Sequence, residues 1–353
     1  MKQRLEEGQL LNPWEIEELV YICKSTLAAT LASPTNLITL NPKKILSLEK
    51  ARMAMTRRKV ASDVDPSTAA IRLNYIREFL AWRVTQAILQ APVNKRSNLI
   101  ILKEITDLAL RNKTPQVTGR NHLYQRLGLD TETHKQLLNL IDIENPESVW
   151  VSTHTKVRNV LIVRMLLELG VRRSELLGVR IKDISAQGHE IKILRRPDDI
   201  HDPRLYEPNT KTRDRLLALS QDMFLQISNY LSTRRNILGA RRHDFLLVAN
   251  GTGAPLSISE FNRLFKPLQV TTPSLQYLTP HLLRHTFFEN LCESLDKNGI
   301  PVEEWDPMLR RLGGWSDTST TPSRYTKRYA QRKANEAMLS MQQRLKMKVS
   351  HNE

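Results

Sequence analysis

His281-Leu282-Leu283-Arg284-His285-Thr286 is the stretch on which the reading of this chain turns, and it leads on to Trp315 and, ten positions later, Tyr325. A histidine and an arginine three residues apart fall on one face of a helix, one turn from each other. A guanidinium gives two parallel hydrogen bonds to phosphate oxygens, and a phenol can attack phosphorus and store the bond as an ester. With a tyrosine following in a basic segment, the pair fits a site that grips a phosphate and attacks it. Alone, His-x-x-Arg is common in chains of this length, and each of these residues could instead simply pack.

Upstream of that stretch lie further cations in suggestive company. Arg172 sits in Gly170-Val171-Arg172-Arg173-Ser174-Glu175-Leu176, after the end of one helix and at the start of the next. Ser174 reads as the N-cap of that second helix, with Glu175 in its favourable first turn. Lys211 lies in Asn209-Thr210-Lys211-Thr212-Arg213, at the entrance to an apolar run, and Lys192 is the other lysine placed to serve there. Downstream, Trp315 follows Leu312-Gly313-Gly314 and offers an indole N–H.

Composition narrows the partner. The 353 residues suffice for two domains or three, and 53 Lys and Arg against 37 Asp and Glu give a formal charge of +16. That balance fits a polyanion, nucleic acid before anionic membrane. The apolar run Asn98-Leu99-Ile100-Ile101-Leu102 is broken at once by Lys103 and Glu104, so no membrane span is expected. Cys23 and Cys292 stand too far apart for a metal or redox motif, and a reducing cytoplasm is the expected setting. Asp198, Asp199 and Asp202 are flanked by Arg195, Arg196 and Arg204, which points to solvated or salt-bridged carboxylates rather than a metal.

Periodicity predicts a mostly helical chain with one small sheet. Ala69, Ile71, Leu73, Ile76, Phe79, Leu80 and Val84 predict a helix from Pro66 to about Leu89, capped at Ser67 or Thr68. Arg72, Arg77 and Arg83 lie along it, either as a solvated face or against DNA phosphates. The stretch Asp142 to Ser152, with Pro146, is the expected linker. A second domain then opens with a helix from Thr153 to Leu169, ended by Gly170 in a left-handed turn. Ile191 to Leu194 and Arg215 to Leu219 read as two strands around an acidic loop from Pro197 to Asn209. From Thr321 to Lys348 eight Lys or Arg face one acid, Glu336, and Ala334, Met338, Met341 and Leu345 form a narrow apolar stripe.

Taken in order, these boxes resemble the tyrosine recombinase (phage integrase) family. The likeness covers about residues 150 to 340, and more weakly 55 to 140. It implies an α+β fold, mainly α with a small β-sheet or hairpin: a catalytic domain over 150–353 with a C-terminal docking helix, after a helical core-binding domain over 51–145 and an extension or arm over 1–50. The two domains would close around duplex DNA as a C-shaped clamp. The resemblance implies that Arg172 and Arg284 clamp the scissile phosphate, and that His281 bonds it and helps accept the tyrosine proton. It further implies that Lys211 protonates the leaving 5′ oxygen, that Trp315 donates to the phosphate or packs the nucleophile, and that Tyr325 forms a 3′-phosphotyrosine. Glu175 and His285 would stand behind the site, and Arg72, Arg77, Arg83 and Arg173 would bind DNA. Tyr329 is the second candidate nucleophile, because Trp315 to Tyr325 is one residue longer than the family's usual spacing.

The function so implied is cutting and rejoining of double-stranded DNA at a specific site, to integrate or excise a mobile element, with no cofactor, ATP or metal. The implied partners are DNA and further copies of the chain, a dimer on each site and a tetramer in synapsis, in a bacterial cytoplasm at the nucleoid, with no membrane. A type IB topoisomerase-like enzyme and an inactive DNA-binding regulator on the same fold remain as alternatives.

Overall fold

Asn12-Pro13-Trp14-Glu15 closes a capping box: the Asn12 side chain accepts the Glu15 N–H at 2.9 Å, and the Glu15 carboxylate accepts the Asn12 N–H at 3.0 Å. It opens α1 (Pro13–Lys24). The structure is a computed structural model that describes residues 4–5, 10–26, 63–116, 128–146, 148–208, 210 and 212–349, with side chains to 344. The chain forms two units, Met1–Tyr124 and Gln125–Glu353.

In the first unit α1 packs with α2 (Pro66–Gln90) and α3 (Val93–Lys113) around Val20, Leu73, Leu80, Val84, Leu99 and Leu110. The cap of α2 is Asp65, whose carboxylate accepts the Ser67 N–H at 2.8 Å, rather than Ser67 or Thr68. Pro66 explains the shift, since proline favours the first helical position and the cap must precede it.

The second unit begins with α4 (Thr131–Leu140), whose Leu137 joins Trp150 and the α5 residues in one core. The expected linker at 142–152 therefore lies inside this unit, and the division falls earlier, after Tyr124. Helix α5 runs Thr153–Leu169, as its periodicity predicts, and is buried along most of its length. Gly170 ends it at φ +58°, and a Cβ there would sit 2.1 Å from the Phe287 ring, so two reasons require glycine. Next comes the six-residue α6 (Arg173–Gly178).

Strands β1 (Ile184–Ser185), β2 (Glu190–Ile193) and β3 (Arg215–Ala218) form an antiparallel sheet in sequence order. Ile191 pairs with Leu217 and Ile193 with Arg215 on the buried face, while Lys192 and Leu216 pair on the outer one. Helices α7 (Gln221–Arg234), α8 (Ile258–Arg263) and α9 (Phe265–Thr271) complete the main core. Three last helices, α10 (Pro280–Lys297), α11 (Val302–Gly313) and α12 (Thr321–Val349), enclose a second core of Phe288, Cys292, Trp305, Leu309, Tyr325 and Tyr329. Beyond its first turns α12 is exposed at every position from Gln331 to Arg344, including Met338 and Met341 of the apolar stripe. No helix among the described residues is long and apolar enough to cross a membrane.

Candidate active site

Glu175 is the hub of the site. Its side chain is fully buried, and Arg215 holds it with Nη2 at 2.7 Å and Nη1 at 3.2 Å. Arg172 Nη1 lies 3.2 Å away, Arg284 Nη1 4.0 Å away, and the Thr212 hydroxyl donates to the same carboxylate. Burial alone would raise the Glu175 pKa, but Arg215, Arg284 and Thr212 outweigh it and hold the group at about 2. One carboxylate thus faces three guanidinium groups, leaving an excess of positive charge.

Glu175 is also why α6 starts where it does. Its carboxylate accepts the Arg172 backbone N–H at 2.8 Å, so Arg172 is the N-cap and Ser174 lies inside the helix. This corrects the expectation of a Ser174 cap, and it ties the orientation of Arg172 to the same carboxylate. Arg172 remains partly exposed while Arg284 is buried. The Gly313 carbonyl accepts from Arg172 Nη1 at 3.1 Å and from Arg284 Nη2 at 2.9 Å, and the Gly170 carbonyl also accepts from Arg284. Burial, with Arg172 beside it, pulls Arg284 down to about 9, which leaves it charged at neutral pH.

Gly314 follows at φ +63°, where a Cβ would meet Arg215 Nη1 at 2.6 Å. It turns the chain so that the Trp315 ring lies beneath both cations, 4.8 Å from the Arg284 guanidinium carbon and 5.8 Å from that of Arg172. The Tyr325 ring is 6.0 Å from Trp315 and 5.0 Å from Phe288. Its hydroxyl is 3.0 Å from His285 Nδ1. Burial pushes the Tyr325 phenol above its ordinary pKa, against the pull of Arg284.

Tyr329 has a different setting. Its ring packs edge-on against Trp305 at 5.3 Å, and its hydroxyl donates to Asp296 at 2.7 Å. Burial and that carboxylate both raise its pKa. Arg332 and Lys333 cover the ring.

Arg172, Glu175, Arg284, His285, Trp315 and Tyr325 therefore come together. His281 is exposed at the start of α10, its ring 4.3 Å from that of His285 one turn on. Lys211 lies outside the described residues, while Lys192 projects from the outer face of β2, opposite to Arg215. Arg173 donates to Asn262 at 2.8 Å. In the first unit Arg72 donates to the Cys23 and Ser25 carbonyls and Arg77 is paired in parallel with Asp107. Arg83 lies over the Trp82 ring. Of the loop carboxylates, Asp202 pairs with the flanking Arg204, while Asp199 pairs with Arg180 from outside the loop.

Arg215 and Thr212 escaped the sequence reading. The available signal was strand parity: Arg215 shares the inward face of β3 with Leu217, and a buried arginine demands a buried acid. A cleft of about 410 Å³ beyond Gly314 adds Arg213, Arg310 and Arg311 to this basic neighbourhood.

A surplus of fixed guanidinium of this kind is suited to holding an anion such as a phosphate, with the Tyr325 phenol close by. The family model described as "Phage integrase family" matches residues 130–332, and the chain belongs to that family. Tyrosine recombinase XerC of Proteus mirabilis is 24% identical over 265 residues, covering 75% of this chain and 72% of that protein. Tyrosine recombinase XerD of Halalkalibacterium halodurans is 28% identical over 192 residues, which span 53% of this chain and just over half, 56%, of the relative. A solved structure of XerH site-specific recombinase, bound to palindromic difH substrate as a post-cleavage complex, is 17% identical with a TM-score of 0.44 and 77% of each chain covered. Membership gives the class of activity, DNA strand breaking and rejoining by a tyrosine recombinase.

Proposed function

We propose that the protein is a site-specific recombinase that cuts and rejoins duplex DNA through a 3′-phosphotyrosine at Tyr325, and that it integrates or excises a mobile element. The observation that carries this reading is the unbalanced cluster: three arginines around Glu175, with the Tyr325 ring against the same Trp315 that underlies Arg172 and Arg284. A phosphodiester entering there would offset the excess charge, and Arg172 and Arg284 would stabilise the further charge that develops on its oxygens. Gly313 and Gly170 supply the carbonyls that hold both guanidinium groups in place before DNA arrives.

In this mechanism His281 bonds the phosphate and Lys211 protonates the departing 5′ oxygen. Trp315 fixes the cations and the nucleophile relative to each other. The ester conserves the bond energy, so a new 5′ hydroxyl can displace Tyr325 without ATP. The exposed apolar stripe of α12 suits docking on a second copy, giving a dimer on each site and a tetramer in synapsis.

A pool of nicked duplexes with a randomised core tests the reading and finds the site together. Wild type is expected to give a denaturant-resistant complex with a blocked DNA 3′ end, and Tyr325→Phe none. Loss of all capture would favour a DNA-binding regulator. Relaxation of supercoiled plasmid lacking the captured sequence would favour a topoisomerase-like enzyme.

A further inference from the structure

His285 follows His281 by one turn of α10, and its Nδ1 lies 3.0 Å from the Tyr325 hydroxyl. The two imidazoles meet edge to face, and the His285 ring also packs on the phenol ring, 5.5 Å between centroids. Tyrosine ionises near pH 10, and burial moves Tyr325 further up, so attack at neutral pH needs an acceptor for the phenolic proton. Nucleophile and base within hydrogen-bond reach is the geometry that such a step requires. The register that produces it is fixed from outside the pair. Arg328 of α12 meets Glu289 of α10 at 2.7 Å, Arg332 meets Glu293 at 3.3 Å, and Phe288 packs under the Tyr325 ring.

We propose that His285, not His281, is the catalytic residue that takes the proton from Tyr325. The proposal rests on Tyr325 being the nucleophile. The phenol donates to Nδ1, which makes His285 the Nε2–H tautomer. As Tyr325 Oη bonds to phosphorus, the bond from phosphorus to the 5′ oxygen breaks and its electron pair stays on that oxygen. The phenolic proton passes to His285 Nδ1, giving an imidazolium, and the 5′ oxygen takes a proton from the group assigned to Lys211. Rejoining runs the same transfers backwards, with His285 returning its proton to Oη.

Three variants on the captured duplex separate the roles. His285→Asn keeps an acceptor near the Nδ1 position but cannot take the proton, whereas His285→Ala removes both. Both are expected to slow single-turnover formation of the covalent complex about 100-fold. A 5′-bridging sulfur, whose thiolate leaves without a proton, is expected to rescue Lys211→Ala and neither His285 variant. Wild-type rate in His285→Asn, or rescue of it by sulfur, overturns the proton-acceptor role while Tyr325→Phe stays inert. A complex that survives Tyr325→Phe overturns both assignments. The wild-type protein gives an answer that no folding defect can blur: nitrogen NMR is expected to find His285 Nδ1 unprotonated, with a shift that changes in Tyr325→Phe. A proton on Nδ1 overturns the proposal.

Discussion

The loop region beside the sheet and the pocket around Glu175 are built from the same charged groups in different proportions. In the first, Arg180, Lys182, Arg196 and Arg204 meet Asp183, Asp199, Asp202 and Asp244, cation for anion. In the second, Arg172, Arg215 and Arg284 share one carboxylate. The matched set has its charge satisfied within the fold, so it can hold the loop and needs no ligand. The unmatched set keeps a surplus of positive charge, which in the proposed mechanism the DNA phosphate offsets. Stoichiometry of charge, more than the presence of arginine, separates a binding site from a brace.

Substitutions in the two regions should therefore diverge. Arg284→Lys, which replaces a forked donor by a point charge, is expected to lower the rate of covalent-complex formation at saturating DNA by about 10²- to 10³-fold. Arg204→Lys should leave that rate unchanged; an equal loss in both variants would erase the distinction. Glu175→Gln leaves three buried or half-buried guanidinium groups uncompensated, and urea titration should find it less stable by about 3 kcal/mol. Asp202→Asn breaks the buried pair with Arg204 and should also lose stability, yet keep cleavage.

The acid limb of stability offers a finer test. Glu175 titrates at about 2 in the folded chain against an ordinary value of 4.5. The unfolded chain therefore binds this proton first as pH falls, so the contribution is present above about 4.5 and is lost as pH drops toward 2. Wild type should show this limb in urea titrations across that window, and Glu175→Gln should show a shallower one. The smallest effect belongs to Tyr329→Phe, which removes one hydrogen bond to Asp296. It should cost about 1 kcal/mol and leave cleavage intact.

Much of this was legible in sequence because it depends on local pattern. The α5 helix ends at Gly170 where period and glycine together place it, and the two main strands flank the acidic loop as their apolar runs suggest. Local signals also misled where a neighbour had the stronger claim. Ser174 has the chemistry of a cap, but Glu175 takes the Arg172 N–H and sets the start of α6 two residues earlier. Arg215 was easy to miss because Leu216 and Leu217 are both apolar, so the run itself does not show which alternate face is buried. The contact between His285 and Tyr325 spans 40 residues and depends on how α12 is rotated against α10, which no spacing encodes.

The most direct test of the reading is to digest the captured protein–DNA complex with nuclease and protease and locate the nucleotide adduct by mass spectrometry. The expected adduct is on Tyr325, the phenol beside Trp315 and the surplus arginines. An adduct on Tyr329, held by Asp296 and Trp305, would contradict it.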